Sequence, residues 1–390
     1  MSEQLAYAVI TPYSLSKFRT GGIIARLITR TGLHLVGARM YAPSKEFASE
    51  YAMLLRTSGH SDSEQIRSLL GDYVENHFGP DPKTGQRHRI MVLLLQGEDA
   101  IAKVHEVIGA YGSSACWNTI CGTYGDLILD ENDSSKVVYF EPAVLGGGDE
   151  EGVSAAVKLF AKYDSDGGIL RGVERYPEGV KPQLTLAMIK PENFRFPTGR
   201  PGNIIDSFSR AGLNIVGIKV QRMSTAQALE FYGPVREVLC TKLNDRIIGL
   251  IKPTLEKALS IQLGQEVLEK VANDLGEVYG QSQFDNIIRF MSGRAENECP
   301  ADQLHEEGTA ESIVLLFEGP DAIAKIRTVL GPTDPSKAPP GSIRREFGTS
   351  VMVNAAHASD SEESVRREMG ILLDETHPNH FLSICRKFYP

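Results

Sequence analysis

The sequence has no long hydrophobic run and no recognisable export signal. Nowhere in its 390 residues do 18 apolar residues follow one another, which is about the length that a membrane-spanning helix needs. The first residues, MSEQLAYAVITPYS, contain no basic region followed by an apolar stretch and a small-residue cleavage site. These absences predict a chain that neither crosses a membrane nor carries a secretory signal peptide.

Cysteine is scarce. The five cysteines are odd in number and widely scattered. They are Cys116, Cys121, Cys240, Cys299 and Cys385. The first two form the single close pair, and no second pair completes the spacing of a zinc site. We therefore expect a reduced, cytoplasmic environment.

Basic residues are outnumbered, 41 to 50, which gives a formal net charge of −9. This balance argues against a surface that binds nucleic acid or an anionic membrane, although a local basic pocket remains compatible with it. The sequence also lacks a P-loop, a kinase loop and a GxGxxG motif, so any phosphate site must be built differently. Hydrophobic residues at 42% and charged residues at 23% are typical of globular proteins.

What the sequence does contain is an internal repeat. Residues 5–12 resemble residues 184–191. Residues 23–37 match 203–217 at an offset of 180, and 92–109 match 314–331 at an offset of 222, with DAIAK identical in both. Since three blocks recur in the same order, we predict two copies of one domain. The first copy covers residues 1–162, a Gly- and Pro-rich linker covers 163–183, and the second copy covers 184–390.

The change of offset shows that the second copy has gained 42 residues. Much of the gain falls at about 241–283, where apolar residues recur at helical spacing. They are Leu255, Leu259, Val267, Leu268, Val271, Leu275 and Val278. We predict a helical insertion that packs on its own domain or on another subunit.

Each copy interleaves short strands with helices. In the second copy we predict strands at LTLAMIK, 213–223, SIVLLFEG and GTSVMVNA, and helices at 203–211, DAIAKIRTVLG and 360–371. This pattern favours an α+β fold with two ferredoxin-like (split βαβ) domains, each with helices on one antiparallel sheet.

Several polar residues of the second copy stand where strands end. Lys190 follows the strand LTLAMI, and His357 follows the strand GTSVMVNA, just before a helix start that favours an incoming anion. Lys190, Arg327 and Arg344 could supply the positive charge that holds a phosphoryl group. Each of these residues also has a plain interpretation, as a structural histidine or as solvated surface charge.

The motifs around these residues resemble those of the nucleoside diphosphate kinase family. The segment from Asn354 to Asp360 resembles the family's N-x-x-H-x-S-D signature. Lys190-Pro191 resembles the end of the family's opening strand, and the run from Arg327 through GPTDP to PGSIRREF resembles its helix–loop–strand run. The resemblance extends over both copies and is most specific in the second.

This resemblance implies that the protein exchanges the terminal phosphate between nucleoside triphosphates and diphosphates by a ping-pong route. His357 would carry the phosphoryl group as a phosphohistidine, Glu368 would orient the imidazole, and Ser359 would stand beside it. The residues implied to hold the phosphates and the sugar are Lys190, Tyr232, Arg327, Thr333, Arg344 and Asn354. Phe284 would stack on the base, since every base has a π-face.

The resemblance also implies ligands and partners. Mg²⁺ would arrive on the nucleotide phosphates, with Asp360 as a ligand through water. The partners would be ATP and other nucleoside di- and triphosphates, and the chain would form a homo-oligomer. We expect neither a membrane nor a nucleic acid as partner.

Some residues leave alternatives open. Tyr232 and Phe284 could be core aromatics, Thr333 a turn residue, and Glu368 an exposed helix charge. Ala358 stands where the family usually has glycine. A nucleotide-binding assembly or regulatory protein with weak or no kinase activity is therefore the alternative function, and transfer from His357 to a partner protein is a third.

The first copy departs from the family at each matching position. Thr11 occupies the position of Lys190, and Leu145 aligns with His357. His105 and Cys121 occupy the positions of Arg327 and Arg344. An aliphatic side chain cannot accept a phosphoryl group. We therefore interpret residues 1–162 as a degenerate copy that contributes packing, assembly or regulation.

Overall fold

The computed structural model of the chain describes residues 3–57, 63–111, 118–133, 136–241, 243–373 and 380–390. Cys116 and the side chain of Cys240 lie outside this description. Cys299 and Cys385 are free thiols. Among the described residues, no helix is long and apolar enough to cross a membrane.

The first copy forms a four-stranded sheet in the order β2-β3-β1-β6. Its strands are β1 (Glu3–Ile10), β2 (His34–Tyr41), β3 (Ile90–Glu98) and β6 (Val144–Gly146), and β4 (Asp126–Leu129) and β5 (Val137–Glu141) form a separate hairpin. Its helices are α1 (Pro12–Ser16), α2 (Thr20–Thr31), α3 (Lys45–Thr57), α4 (Glu64–His77), α5 (Ala100–Ile108), α6 (Ile120–Tyr124) and α7 (Glu150–Lys162). β1 pairs antiparallel with β3 and β6, and β2 pairs antiparallel with β3.

The second copy repeats this topology in the order β10-β7-β9-β8. Its strands are β7 (Gln183–Ile189), β8 (Asn214–Arg222), β9 (Glu311–Gly319) and β10 (Ala356–Ala358). Its helices are α8 (Arg200–Ser209), α9 (Thr225–Thr241), α10 (Asn244–Leu259), α11 (Gln265–Ser292), α12 (Ala322–Leu330), α13 (Ile343–Phe347), α14 (Glu362–Leu372) and α15 (His380–Phe388). In each sheet the last strand and the third strand flank the first, which is the strand order of the ferredoxin-like fold. The predicted α+β class is confirmed.

The chain divides into two compact units. The sheet unit contains Met1–Gln221, Ser312–Met369 and Leu373–Pro390, and the helical unit contains Arg222–Glu311 and Gly370–Leu372. Both sheets thus belong to one unit, although the sequence predicts one domain for each copy. The units group residues by contact and not by repeat, so the predicted copy boundaries stay a prediction.

Close backbone contact between α2 and α8 joins the two sheets of the sheet unit. A Cβ on Gly21 would lie 2.4 Å from the carbonyl oxygen of Gly202, and a Cβ on Gly202 would lie 2.3 Å from the nitrogen of Ala25. Only glycine permits such an approach at these two positions. Arg89, which is buried, adds a polar contact between the copies by donating from Nη2 to Oδ1 of Asn214 at 2.9 Å.

The predicted linker also joins the copies. The amide of Ala42 donates to the carbonyl of Asp166 at 2.9 Å, and the amide of Gly168 donates to Met40 at 2.9 Å. Two residues later the amide of Leu170 donates to Val216 in β8 at 2.8 Å. The linker thus satisfies backbone groups of β2 and β8, the strands at the edges of the two sheets, which would otherwise be left unpaired.

The helical unit holds three helices, α9 to α11, where the first copy has only α3 and α4 in the corresponding described segment. The predicted helical insertion is therefore present. Among the apolar residues that the sequence places at helical spacing in this insertion, Leu268 is buried. Exposed members are Leu259, Val267, Leu275 and Val278.

One strand boundary differs from the prediction. GTSVMVNA, residues 348–355, is a loop, and the last strand is Ala356–Ala358. The reason is the length of its neighbour: Ala356 pairs with Ile189, the last residue of β7. Residues before Ala356 have no strand to pair with, so the segment does not form a strand in spite of its β-branched residues.

Candidate functional site

His357 is the middle residue of β10, opposite Met188 of β7. The prediction that it follows a strand is wrong, because the strand begins at Ala356, directly after the segment that the sequence pattern suggests. Pairing with β7 fixes the backbone on both sides of the histidine. Its side chain is 23% exposed, so the ring is held by the sheet and still reaches the surface.

A buried carboxylate holds the imidazole. Nε2 of His357 lies 2.9 Å from Oε2 of Glu368, and Oγ of Ser359 donates to the same oxygen at 2.7 Å. Glu368 and Ser359 are 3% and 0% exposed. Because an ionised carboxylate only accepts hydrogen bonds, Nε2 carries the proton and Nδ1 carries the lone pair of the neutral ring. Glu368 is therefore not an exposed helix charge.

Lys190 follows β7 directly, as predicted, and its ammonium group is buried. Nζ donates to Oδ1 of Asn354 at 2.7 Å and to the carbonyl of Met352 at 3.1 Å. The pKa of Lys190 is lowered to about 8, mainly because its ammonium group is buried; the charge of Glu192 opposes this shift and that of Arg344 adds to it. Nδ2 of the Asn354 side chain also donates to the carbonyls of Thr333 and Val351 at 3.1 and 2.8 Å.

Arg344 stands at the start of α13 and links the loop after α12 to β10. Its Nη1 donates to the carbonyl of Gly331 at 3.1 Å and lies 3.5 Å from Oγ1 of Thr333. Its Nη2 donates at 3.1 Å to the carbonyl of Ala356, the residue before His357. Thr333 itself is exposed.

Arg327 and Asp360 are exposed. Oδ1 of Asp360 accepts from Oγ of Ser364 at 2.6 Å. That hydrogen bond lowers the pKa of Asp360, and the charge of Arg327 lowers it further. Arg327 is therefore close enough to act on Asp360, and the carboxylate stays ionised at neutral pH.

Tyr232 and Phe284 belong to the helical unit, on α9 and α11. Tyr232 is 8% exposed and packs against Phe231, with the ring centroids 4.9 Å apart. Phe284 is 1% exposed, and the guanidinium of Arg236 lies 5.6 Å from its ring centroid. In this conformation the Phe284 ring offers no exposed face to a base. The predicted roles of both residues in nucleotide binding stay predictions.

Three further residues, which the motifs did not indicate, form a hydrogen-bonded group around Lys190 and Ala355. Oε1 of Glu192 accepts from the amide of Ala355 at 2.8 Å. Nδ2 of Asn193 donates to the carbonyls of Lys190 and Ala355 at 3.0 and 2.9 Å, and Nε of Arg200 donates to Oδ1 of Asn193 at 3.2 Å. The usable signal for Glu192 and Asn193 was their position directly after the Lys-Pro pair, whereas Arg200 stands ten residues after Lys190.

Leu145 occupies the position of His357 in the first copy. Leu145 of β6 pairs with Val9 of β1, as His357 of β10 pairs with Met188 of β7. Val9 and Met188 both stand two residues before the position of Thr11 and Lys190. Strand register thus confirms the predicted alignment.

Thr11 takes the place of Lys190. Its Oγ1 donates to the carbonyls of Pro142 and Ala143 at 2.8 and 3.1 Å, and its side chain is fully buried. The hydroxyl satisfies backbone carbonyls without bringing a charge.

The remaining two substitutions also occupy matching places. His105 is the sixth residue of α5 and Arg327 the sixth of α12. Cys121 and Arg344 are each the second residue of a five-residue helix. The first copy therefore keeps the backbone of the candidate site without its histidine at β10, its lysine and its two arginines.

Comparison with known proteins points to one family. The family model for nucleoside diphosphate kinase matches residues 247–377. A nucleoside diphosphate kinase of Hydrogenovibrio crunogenus is 38% identical over 134 residues, which make up 34% of this chain and 94% of that relative. One of Sulfurisphaera tokodaii is 27% identical over 193 residues, 50% of this chain and 90% of the relative.

Two solved structures of similar proteins carry the same name. One is the Aquifex aeolicus nucleoside diphosphate kinase, with 25% identity, 50% of this chain and 98% of that chain covered, and a TM-score of 0.32. Another is an NDP kinase from Pyrobaculum aerophilum, with 24% identity, the same coverage and a TM-score of 0.35. The family model and the Hydrogenovibrio relative, together with the motif around His357, show that the chain belongs to the nucleoside diphosphate kinase family.

Proposed function

We propose that the second copy transfers the terminal phosphoryl group of a nucleoside triphosphate to a nucleoside diphosphate through His357. The observation that carries this proposal is the 2.9 Å contact between Nε2 of His357 and the buried carboxylate of Glu368. It keeps the proton on Nε2 and the lone pair on Nδ1. A ring fixed in this tautomer is a ready nucleophile.

In the first half-reaction Nδ1 forms a bond to the γ-phosphorus while the bond to the bridging β–γ oxygen breaks. The nucleoside diphosphate leaves with that electron pair, and the carboxylate of Glu368 stabilises the positive charge that develops on the ring. A second diphosphate then attacks the phosphohistidine by the reverse path. Lys190, Arg344 and Arg327 supply the cations that we propose for the phosphates, and Asn354 and Thr333 the polar groups beside them.

Magnesium would be bound mainly by the nucleotide. No group of three or more possible metal ligands occurs among the described residues, whereas Mg²⁺ usually keeps several waters and uses substrate phosphates with one or two carboxylates. Asp360, ionised and exposed, fits such a role through a water molecule. When bound, the ion would neutralise charge on the phosphates.

The test is labelling with γ-labelled ATP. We expect acid-labile, base-stable label on the wild-type protein and none on His357→Asn, since asparagine offers no nucleophilic ring. His34→Asn, which changes an exposed histidine of β2, is the matched control and should keep the label. Label that survives His357→Asn would exclude this histidine as the carrier.

A chase with several unlabelled diphosphates separates the alternatives. Loss of label to each diphosphate supports the kinase. Stable label that none of them removes would favour transfer to a partner protein, and nucleotide binding without any label would favour the binding or regulatory function. If the protein binds nucleotide without taking up label, Ala358→Gly is the first substitution to test, because the methyl group of Ala358 is 5% exposed and lies beside His357.

A further inference from the structure

The backbone directly before the nucleophile has an unusual conformation. Ala355 has φ +72°, in the left-handed region, and the amide of Ala356 donates to the carbonyl of Asn354 at 2.9 Å. A hydrogen bond between residues two apart across a positive φ defines a γ-turn of the rare, strained kind. A residue with a Cβ keeps such a turn only where its surroundings impose it.

The loop after Lys190 supplies those surroundings. Both polar groups of the Ala355 backbone are bonded to this loop: its amide donates to Oε1 of Glu192 at 2.8 Å, and its carbonyl accepts from the amide of Lys190 at 3.0 Å and from Nδ2 of Asn193 at 2.9 Å. The turn separates Asn354, which holds the ammonium of Lys190, from His357. A shift of the turn would therefore move a phosphate-binding group and the nucleophile together.

The first copy serves as an internal comparison. There the amide of Thr11 donates to the carbonyl of Ala143 at 3.2 Å, and Oγ of Ser14 donates to it at 2.9 Å, so two of the three bonds are kept. Tyr13 replaces Glu192, and Ala143 is absent from the positive-φ residues of the described chain. The copy without the carboxylate is thus the copy without the strained turn.

The second carboxylate oxygen of Glu192 is left without a hydrogen bond in this position. Oε2 of Glu192 is buried and has no hydrogen-bond partner among the described residues. An unpaired buried acceptor costs free energy, so stability alone does not explain the side chain. We propose, on the basis of the proposed kinase function, that Glu192 is a positioning residue that holds Ala355 in the γ-turn and thereby sets the imidazole of His357 for attack.

The first test compares Glu192→Ala, Glu192→Gln and the control Glu363→Ala, which removes an exposed glutamate of α14. In single-turnover labelling with γ-labelled ATP we expect Glu192→Ala to slow phosphohistidine formation by about 100-fold, the effect of a small misplacement of reacting groups. ATP affinity should fall much less than the rate does, because the variant keeps all the cations that we propose for the phosphates. Glu192→Gln should keep most of the rate, since its amide oxygen accepts the same hydrogen bond.

The second test adds glycine at the turn. Glycine adopts a positive φ without the penalty of a Cβ, so Glu192→Ala/Ala355→Gly should regain at least about tenfold of the lost rate. A general loss of structure would not be rescued in this way. Wild-type rate in Glu192→Ala, or no rescue by glycine in a slow variant, would overturn the proposal.

A crystal structure of Glu192→Ala separates this proposal from the kinase function. We expect Ala355 to leave the left-handed region there, whether or not the wild-type protein takes up label. Absence of label on the wild type would defeat the kinase function alone. An unchanged φ at Ala355 in the variant would defeat the positioning role alone.

Discussion

At the scale of single residues, burial decides what each charged group does. Glu368 and Lys190 are both nearly inaccessible to solvent, yet their surroundings differ. Glu368 accepts from His357 and Ser359, which suits the ionised form. In the described part of the chain, Lys190 donates hydrogen bonds to neutral oxygens only. Burial therefore lowers its pKa, since these oxygens do not compensate for the lost solvation of the charge.

The pH dependence of nucleotide binding should follow Lys190. Its pKa is lowered to about 8 from a usual value of about 10.4, so its charge is lost as pH rises through about 8, and ADP should bind more weakly there. Between these two values the unfolded chain binds more protons than the folded one, so this group makes the free energy of unfolding rise with pH. The ¹³Cε resonance of Lys190 reports the titration directly.

Bound ADP should raise this pKa, because phosphate stabilises the ammonium form. Lys190→Arg, which stays charged over the same range, should remove the pH dependence of ADP affinity above neutrality. A ¹³Cε midpoint near the usual lysine value in the free protein would contradict the prediction.

At the scale of elements, short pieces of structure set the site. β10 has three residues, and its pairing with β7 brings His357 opposite Met188. The loops after β7 and α12 supply Lys190 and Thr333 to the same strand end. The contact of α2 with α8 joins the two sheets through glycine, and this contact can be tested by adding one carbon.

Gly202→Ala should lower the free energy of unfolding by about 2 kcal/mol, as is typical when a packed contact is overfilled. The added Cβ would lie 2.3 Å from the nitrogen of Ala25 and 2.5 Å from the carbonyl oxygen of Gly21. Both atoms are backbone and cannot rotate away. Urea unfolding followed by circular dichroism measures the change.

The control is Gly249→Ala on α10, where a Cβ meets nothing within 4 Å. Alanine there should raise the free energy of unfolding by up to about 1 kcal/mol, since it restricts the unfolded chain. Equal effects of the two substitutions would show that helix propensity, and not the contact between α2 and α8, governs Gly202.

At the scale of the whole molecule, one fold is present twice and the residues for the proposed chemistry occur once. The strand orders are the same, and Leu145 and Thr11 hold the register positions of His357 and Lys190. We propose that the first copy contributes structure or regulation and takes no phosphoryl group.

The amount of label per chain tests this division. The wild-type protein should take up about one phosphoryl group per chain at saturation, because one histidine acts as nucleophile. Leu145→His should not raise this value, since Leu145 is 1% exposed and Thr11 brings no charge beside it. Uptake of two phosphoryl groups by the variant, or by the wild type, would contradict the prediction.

Much of the fold and of the site could be predicted from the sequence. The repeat predicted two similar sheets, and the motifs led to Lys190, Asn354, His357 and Glu368. The strands follow from patterns among neighbouring residues, and the site residues follow from the resemblance of short motifs to the nucleoside diphosphate kinase family.

Other features depend on contacts between distant residues and only the tertiary structure decided them. The extent of β10 follows from the end of β7, and Glu192 matters because its carboxylate reaches the amide of Ala355, 163 positions along the chain. The burial of Phe284 and the joining of both sheets in one unit have the same origin. The sequence by itself determined which side chains are available for chemistry, and packing determined which of them are charged, held in place and exposed.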